Sequence, residues 1–162
     1  MIAVLQRVSR ASVTVDEQQV AAIGPGLLAL VGVAAGDGER DLDWMVRKLP
    51  ELRLFEDEAG KMNLSLRETG GGLLLVSQFT LLADCRRGRR PSFSDAAPPE
   101  EASRLFDQLV QAFRSAGVKT EQGVFRAMMR VELANEGPVT ILLDSRIEEN
   151  VSRRGRPKEP AA

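Results

Sequence analysis

The chain alternates between two hydrophobic periods along its 162 residues. Short apolar runs bounded by Gly, Pro, Asn or Asp are typical of strands, and two longer segments repeat apolar residues about every three to four positions, as amphipathic helices do. The first helical segment covers about residues 39–49 and ends at Pro50, because a residue before proline is driven toward an extended conformation. The second has its apolar stripe over residues 102–113 and ends at Gly117, a residue type that often follows a helix. Strands are predicted at residues 2–8, 12–15, 19–23, 27–33, 52–55, 73–82, 125–134 and 138–144, the last two joined by a turn, and residues 62–66 fit either a short strand or an irregular crossing.

This arrangement of many strands and two main helices predicts an α+β fold (α/β in the broad sense), with helices laid on sheet faces. No internal repeat and no linker divides the chain, so residues 1–144 are predicted to form a single domain. Residues 145–162 are charged, contain two prolines and lack an apolar period, so we predict a disordered extension there.

The absence of histidine from the sequence restricts the available chemistry. It removes Ser-His and Cys-His nucleophile pairs, imidazole acid–base catalysis and most zinc sites. The single cysteine, Cys85, allows no intrachain disulfide and no thiolate cluster, and it has no histidine to act as its base. We therefore expect neither a metal nor a cofactor.

The apolar runs are also short. The longest uncharged ones fall far below the about 20 residues that a membrane span needs. No basic region precedes the apolar amino terminus, as it would in a signal peptide. These features predict a cytoplasmic protein that does not contact membranes.

Two polar segments interrupt apolar, strand-like runs. Residues 77–80, Ser-Gln-Phe-Thr, follow the run 73–76, and residues 135–140, Asn-Glu-Gly-Pro-Val-Thr, lie between apolar stretches. An unpaired buried polar group costs about 1–3 kcal/mol, and proline cannot donate a hydrogen bond to a sheet. Interruptions of this kind indicate a functional site.

The two segments together resemble the signature pair of the D-aminoacyl-tRNA deacylases. Five further stretches occur in this family's order, and the resemblance covers about residues 1–144. The stretches are Leu5-Gln6-Arg7-Val8, Ala11-Ser12-Val13, Leu52-Arg53-Leu54-Phe55, Gly60-Lys61-Met62-Asn63 and Arg89-Arg90-Pro91-Ser92-Phe93.

The resemblance implies a β/β/α layered sandwich or barrel-like core, and a homodimer with its active sites at the subunit interface. It implies metal-independent hydrolysis of the ester bond of D-aminoacyl-tRNA, and of glycine mischarged on tRNA(Ala), as chiral proofreading in translation. The lack of histidine agrees with this substrate class, because an aminoacyl ester is activated by its neighbouring 2′-hydroxyl and α-ammonium groups.

The predicted catalytic residues are Ser77, Gln78, Phe79 and Thr80. The simplest alternative is that Ser and Thr are tolerated in a strand and Gln faces solvent. In the functional interpretation, a main-chain N–H near Phe79 or Thr80 stabilises the oxyanion that develops on the ester carbonyl. Thr80 is preferred as a positioning group, because nothing explains its activation as a nucleophile, although both roles stay open.

Gly137 and Pro138 have a plain alternative interpretation as a trans turn, because only about 5% of X–Pro bonds in folded proteins are cis. The resemblance implies instead a cis bond that enters the active site of the partner subunit, with its carbonyl oxygens facing the substrate's α-ammonium group. An L side chain would then clash with this backbone, whereas a D side chain would point to solvent. Asn135, in the same segment, is a predicted substrate or tRNA contact.

Further candidates would bind the tRNA. Phe125 and Met129 alone would pass as core residues, but the resemblance implies that they hold the terminal adenine. A basic loop follows the first polar segment and is either a solvated charge run or a set of phosphate contacts. Its arginines are Arg86, Arg87, Arg89 and Arg90.

Arg126 and Met128 depart from the family pattern, in which a small residue and Asp are usual. On a strand they would alternate with Phe125 and Met129, so we expect them to face away from the site. Together with the basic loop they motivate a rival interpretation, a non-catalytic RNA-binding protein that retains the deacylase scaffold.

Overall fold

The computed structural model describes residues 1–146, so residues 147–162 of the predicted extension lie outside the described residues. The described chain forms eight strands, three α-helices and two 3₁₀ turns, the turns at Leu49–Glu51 and Phe79–Leu82. None of these helices is long and apolar enough to cross a bilayer. The strands are β1 (Ile2–Val15), β2 (Gln18–Ile23), β3 (Gly26–Gly32), β4 (Arg53–Glu56), β5 (Met62–Ser65), β6 (Gly72–Ser77), β7 (Thr120–Gln122) and β8 (Arg130–Asp144), and the helices are α1 (Glu39–Lys48), α2 (Leu66–Thr69) and α3 (Pro99–Ser115).

Six of the strands form one curved, barrel-like sheet around β1. This strand pairs antiparallel with β2, β3 and β8, and the sheet continues from β3 to β6 and β7 through parallel pairs. β4 and β5 form a separate antiparallel pair. The arrangement confirms the predicted fold class, a mixed α and β protein with a barrel-like core.

The short helix α2 was not part of the prediction of two main helices. Its four residues are too few to display a helical period. Its start carries a recognisable signal, because the Ser65 hydroxyl accepts the N–H of Glu68 at 3.2 Å and the Glu68 carboxylate accepts the N–H of Ser65 at 2.7 Å.

Burial on both sides of the sheet explains the unbroken apolar runs in β3 and β6. Leu27 and Leu73 belong to the main core, which includes the inner faces of α1 and α3. Leu28 and Leu74 belong to a second cluster on the opposite face, with residues of β1, β2 and β8. Strands buried on both faces lose the apolar–polar alternation of half-buried strands. The predicted stripe of α3 is buried against the main core through Ala102, Leu105, Phe106, Leu109, Val110 and Phe113.

The prediction of a strand through residues 73–82 was wrong at its end. β6 stops at Ser77, and Gln78 leaves the extended region with φ −147° and ψ 81°. The 3₁₀ turn Phe79–Leu82 follows and buries Leu82. The apolar pair Leu81-Leu82 therefore continued the strand pattern in the sequence while the backbone had already turned.

The prediction of two strands at 125–134 and 138–144 was also wrong. Residues from Arg130 to Asp144 form the single strand β8, and both of its halves pair with β1 in the same direction. Val8 pairs with Asn135 and Gln6 pairs with Thr140, so residues 136–139 bulge out of the ladder opposite Arg7. The Asn-Glu-Gly stretch has the composition of a turn, yet it forms a bulge.

The amino terminus is held inside the domain by charge. The ammonium group of Met1 lies 2.6 Å from a carboxylate oxygen of Asp37 and donates to the hydroxyl of Ser145 at 2.8 Å. Burial alone would raise the pKa of Asp41 beside them, but hydrogen bonds from Ser145 and from the N–H of Gly38, together with the charged amino terminus, lower it below its ordinary value.

We expect Asp37→Asn to lower the free energy of unfolding by about 3 kcal/mol. The Asp37 side chain is only 3% exposed, and its second oxygen accepts the N–H of Ala34 at 2.6 Å. The substitution removes the nearer of the two carboxylates beside the buried ammonium and leaves only Asp41, at 3.9 Å. Urea unfolding measures the effect, with Asp43→Asn on the exposed face of α1 as the control. Equal unfolding midpoints for the two variants would contradict the prediction.

Candidate functional site

An open pocket of about 530 Å³ lies where β6 ends, within the range of small-molecule and nucleotide sites. Its floor is apolar and comes from β3, β6 and the first turns of α3, including Val31, Val76 and Phe106. Ser77, Gln78 and Phe79 line it on one side, and the segment 125–129 lines it on the other. The pocket therefore combines an apolar floor with a polar strand end.

The backbone at this strand end carries unpaired donors. The N–H of Gln78 donates to the carbonyl of Val31 at 2.7 Å, which is the last bond of the ladder. Within residues 1–146, the N–H groups of Phe79 and Thr80 at the start of the 3₁₀ turn donate to no other group. The first N–H groups of a helical turn have no partner inside the turn, so they are available to a ligand.

Side chains around this turn are largely accessible. Phe79 is 57% exposed, and its ring packs edge-on against Phe93 with centroids 5.0 Å apart. Thr80 is exposed and is not among the residues that line the pocket, and its hydroxyl accepts a hydrogen bond from the amide of Gln78. This bond fixes the Thr80 hydroxyl beside the pocket without giving it a base.

The bulge of β8 presents the second polar segment. The Gly137-Pro138 bond is cis, as the resemblance implies, and both residues are exposed. The Asn135 side chain supports the bulge, because its oxygen accepts the N–H of Val139 at 2.8 Å and its nitrogen donates to the Thr140 hydroxyl at 3.2 Å. The Asn135 amide is thus engaged within the chain, and its contact with substrate stays a prediction.

Arg7 is a residue of this site that the sequence analysis did not single out. It is buried, its Nε donates to the carbonyl of Glu136 at 3.0 Å, and its Nη1 donates to the carbonyl of Leu54 at 2.7 Å. Glu56, at 3.6 Å, is its partly solvated ion-pair partner. Arg7 thus ties the bulge to β4. An arginine inside the strand pattern of residues 2–8 was the available signal, because a charge that becomes buried there requires partners.

The pocket brings together some of the predicted residues and not others. Phe125 and Met129 line it with Ser77, Gln78 and Phe79. Gly137 and Pro138 do not line it, although both lie on the same chain. The two polar segments therefore occupy separate places on one subunit.

The expected alternation of residues 125–129 was wrong, because these residues are not a strand. Residues 125–127 form a turn, and Arg126 has a φ of +62°. All five residues line the pocket, including Arg126 and Met128, which were expected to face away. Met128 is 90% exposed at its edge.

None of the arginines of the basic loop lines the pocket. The pairing of Asp84 with Ser92 closes the loop. Arg86 donates to both carboxylate oxygens of Asp84 at 2.8 and 2.7 Å, and this hydrogen bonding holds the pKa of Asp84 well below its usual range. The other three arginines of this loop are exposed and form no ion pair with any residue in 1–146. They are Arg87, Arg89 and Arg90.

Sequence comparison relates the chain to a family of known proteins. The profile of the family described as D-Tyr-tRNA(Tyr) deacylase matches residues 4–144. A D-aminoacyl-tRNA deacylase from Kosmotoga olearia is 60% identical over 146 residues, which cover 90% of this chain and 98% of that protein. Another, from Desulfitobacterium hafniense, is 58% identical over 145 residues, which cover 90% and 97%.

Solved structures share the fold. One, described as a c-Myc DNA unwinding element binding protein, has a TM-score of 0.84 and 41% identity, and the match covers 89% of this chain and 98% of that one. A second, described as a probable eukaryotic D-amino acid tRNA deacylase, has a TM-score of 0.76 over 88% of this chain and 97% of that one. At 18% identity, the second likeness concerns the fold alone.

Proposed function

The chain belongs to the D-Tyr-tRNA(Tyr) deacylase family, and from this membership we propose that it hydrolyses the ester bond of D-aminoacyl-tRNA. Water adds to the ester carbonyl, the 3′-oxygen of the terminal ribose leaves, and a D-amino acid and free tRNA result. This reaction corrects wrongly charged tRNA during translation, so we expect the protein to act in the cytoplasm.

The observation that carries the proposal is the pair of unpaired N–H groups at Phe79 and Thr80, beside an apolar pocket. An ester carbonyl bound at this strand end would receive hydrogen bonds from the main chain as its oxygen becomes negative. Such donors are rigid and need no titratable side chain, which suits a sequence without histidine.

In this scheme Thr80 acts as a positioning group. The hydrogen bond from Gln78 supplies a donor to its hydroxyl, whereas a nucleophile needs a base to accept its proton. Ser77 and Gln78 complete the polar side of the pocket, toward the ester and the ribose.

Chiral selection would require a second copy of the chain. Gly137 and Pro138 project from the β8 bulge and do not line the pocket of their own subunit. In a homodimer they would enter the partner's pocket, with their carbonyl oxygens toward the α-ammonium group. The L side chain then meets backbone and is excluded, the D side chain points to solvent, and glycine is accepted because it has nothing to clash.

The acceptor end of the tRNA would be held by stacking and charge. Phe125 and Met129 form apolar walls suited to the terminal adenine. Arg87, Arg89 and Arg90 are the cations of the basic loop available to phosphates, whereas Arg86 is already paired with Asp84.

We expect the purified protein to hydrolyse D-aminoacyl-tRNA at least about 100-fold faster than the matched L ester, with no loss of rate in a chelator. A ratio of this size is about 2.7 kcal/mol, the range that steric exclusion of one side chain supplies. Release of radiolabelled amino acid from a D/L pair on the same tRNA measures it, and sedimentation of the same sample gives the oligomeric state.

Equal rates on both esters would exclude chiral proofreading, and a monomer that still discriminates would exclude the screen in trans. The rival function, RNA binding without turnover, predicts hydrolysis of neither ester together with normal tRNA binding. One solved structure, at 41% identity, is described as a c-Myc DNA unwinding element binding protein, and this name is the reason to test nucleic-acid binding without turnover.

A further inference from the structure

Arg126 has a backbone conformation that arginine rarely adopts. Its φ of +62° lies in the left-handed region, which side chains with a Cβ disfavour. The other non-glycine residues with positive φ in the described chain, Asp16 and Glu17, form the two-residue turn between β1 and β2, where a hairpin requires it. Arg126 is the third residue of a four-residue turn closed by the N–H of Ala127, which donates to the carbonyl of Val124 at 3.2 Å, and a positive φ at this position is what some β-turns require. The turn accounts for the backbone conformation, and it places the exposed Arg126 side chain at the pocket.

The Arg126 side chain has neither a charged neighbour in the pocket lining nor a bonding partner among residues 1–146. Among the described residues that line the pocket, it is the only charged one. It is exposed at the pocket opening, and no hydrogen bond or ion pair within residues 1–146 involves its guanidinium group. The cation is therefore not engaged in holding the fold together.

We propose that Arg126 is a substrate-positioning residue, whose guanidinium binds the 5′-phosphate of the terminal nucleotide while its base occupies the pocket. The inference rests on the proposed function and extends it, because it assigns a pocket residue to the tRNA backbone. It also gives a role to a position that the sequence pattern would have placed outside the site.

The chemistry of the pocket selects this ligand group. The walls formed by Phe125 and Met129 and the floor at Phe106 are apolar, so a phosphodiester placed between them would lose its hydration. A terminal nucleotide seated in the pocket therefore leaves its phosphate at the opening, where Arg126 lies. The planar fork of a guanidinium matches two phosphate oxygens at once and forms strong, charge-assisted hydrogen bonds.

Three substitutions separate charge from backbone strain. Arg126→Gln is expected to raise KM for D-aminoacyl-tRNA about tenfold with kcat unchanged, because the phosphate contact is equal in ground and transition states. The slope of log(kcat/KM) against log salt should flatten by about 0.7, the value for one phosphate of a single strand. Arg126→Lys should keep most of the slope. Arg126→Gly should repeat the kinetic loss of Arg126→Gln while raising Tm, because glycine relieves the positive φ.

Two matched variants control for general effects. Arg10→Gln removes an exposed arginine that is outside this pocket, and Glu17→Gly relieves a positive φ of 64° in the hairpin turn. Arg10→Gln should leave KM and the salt slope unchanged, and Glu17→Gly should leave both unchanged while raising Tm.

An unchanged KM and salt slope in Arg126→Gln, or an equal effect of Arg10→Gln, would overturn the proposal. If the parent protein hydrolyses neither ester, the proposed function fails. The phosphate contact is then judged by the affinity for uncharged tRNA, where Arg126→Gln must still weaken binding about tenfold and flatten its salt dependence.

Discussion

Gly137→Ala is expected to reduce kcat/KM for D-aminoacyl-tRNA by about 100-fold, the loss that follows when a positioning group is displaced by about 1 Å. The φ of Gly137 is +130°, a conformation essentially restricted to glycine. A Cβ there would lie 2.8 Å from Cγ2 of Val139 and 3.0 Å from Nη2 of Arg7. Arg7 is held by its hydrogen bonds to two carbonyls and the Val139 side chain packs against the main core, so the backbone of the bulge must shift.

The displaced bulge would alter the proposed chiral screen in one of two measurable ways. If the bulge withdraws, the D/L ratio falls because the L ester is admitted. If the methyl group occupies the space of the substrate, both rates fall together. Single-turnover rates on the D and L esters distinguish these results, because they isolate chemistry from product release.

Gly24→Ala is the matched control, because a Cβ at Gly24 would have no atom within 4 Å. It should retain the parent rate within a factor of about two, as surface substitutions away from special features usually do. Thermal unfolding of both variants shows whether each is folded at the assay temperature. A folded Gly137→Ala protein with parental rates and an unchanged D/L ratio would refute the role of the bulge.

The sequence pattern predicted those elements whose residues all share the same kind of surroundings, so that a single hydrophobic pattern describes the whole element. The apolar stripe of α3 indicates a helix with a single buried face. The apolar runs of β3 and β6 indicate strands buried on both faces. Their bounds and types therefore agree with the structure to within a few residues, apart from the end of β6.

The remaining parts depend on partners distant in sequence. Asn-Glu-Gly reads equally well as a hairpin turn or a bulge, and only the pairing of both halves of β8 with β1 decides between them. Arg7 donates to a carbonyl 129 positions away in the sequence, and the residues around Arg7 contain no signal of that partner. Residues 125–129 alternate in exposure as a strand would, yet Arg126 lies on a turn.

The candidate site shows the same division. Ser77, Gln78 and Phe79 were found because polar residues interrupt an apolar run, and the pocket contains them. The unpaired N–H groups of Phe79 and Thr80 arise from the 3₁₀ turn, which the continuing apolar pattern concealed. The proposed chemistry thus depends on a backbone feature at the point where the strand prediction failed.

Arg7→Lys is expected to lower kcat/KM by about 100-fold and the free energy of unfolding by about 2 kcal/mol. The guanidinium of Arg7 donates at once to the carbonyls of Glu136 and Leu54, at 3.0 and 2.7 Å. A lysine ammonium is a compact charge at the end of a flexible chain, and it lacks the planar fork that reaches both carbonyls in this geometry. One buried carbonyl loses its partner, and the residue before Gly137 is no longer held.

Arg53→Lys separates this positioning role from a general preference for arginine. Arg53 also donates its Nε to a backbone carbonyl, that of Asn63 at 2.7 Å, but on the exposed surface, where water can replace the bond. The control should lose less than about 0.5 kcal/mol and keep its D/L ratio. If Arg7→Lys is destabilised yet retains parental kcat/KM and chirality, Arg7 only supports the fold. A fall in the D/L ratio at a temperature where the variant is fully folded shows that the Arg7–Glu136 hydrogen bond sets the position of the Gly137-Pro138 backbone.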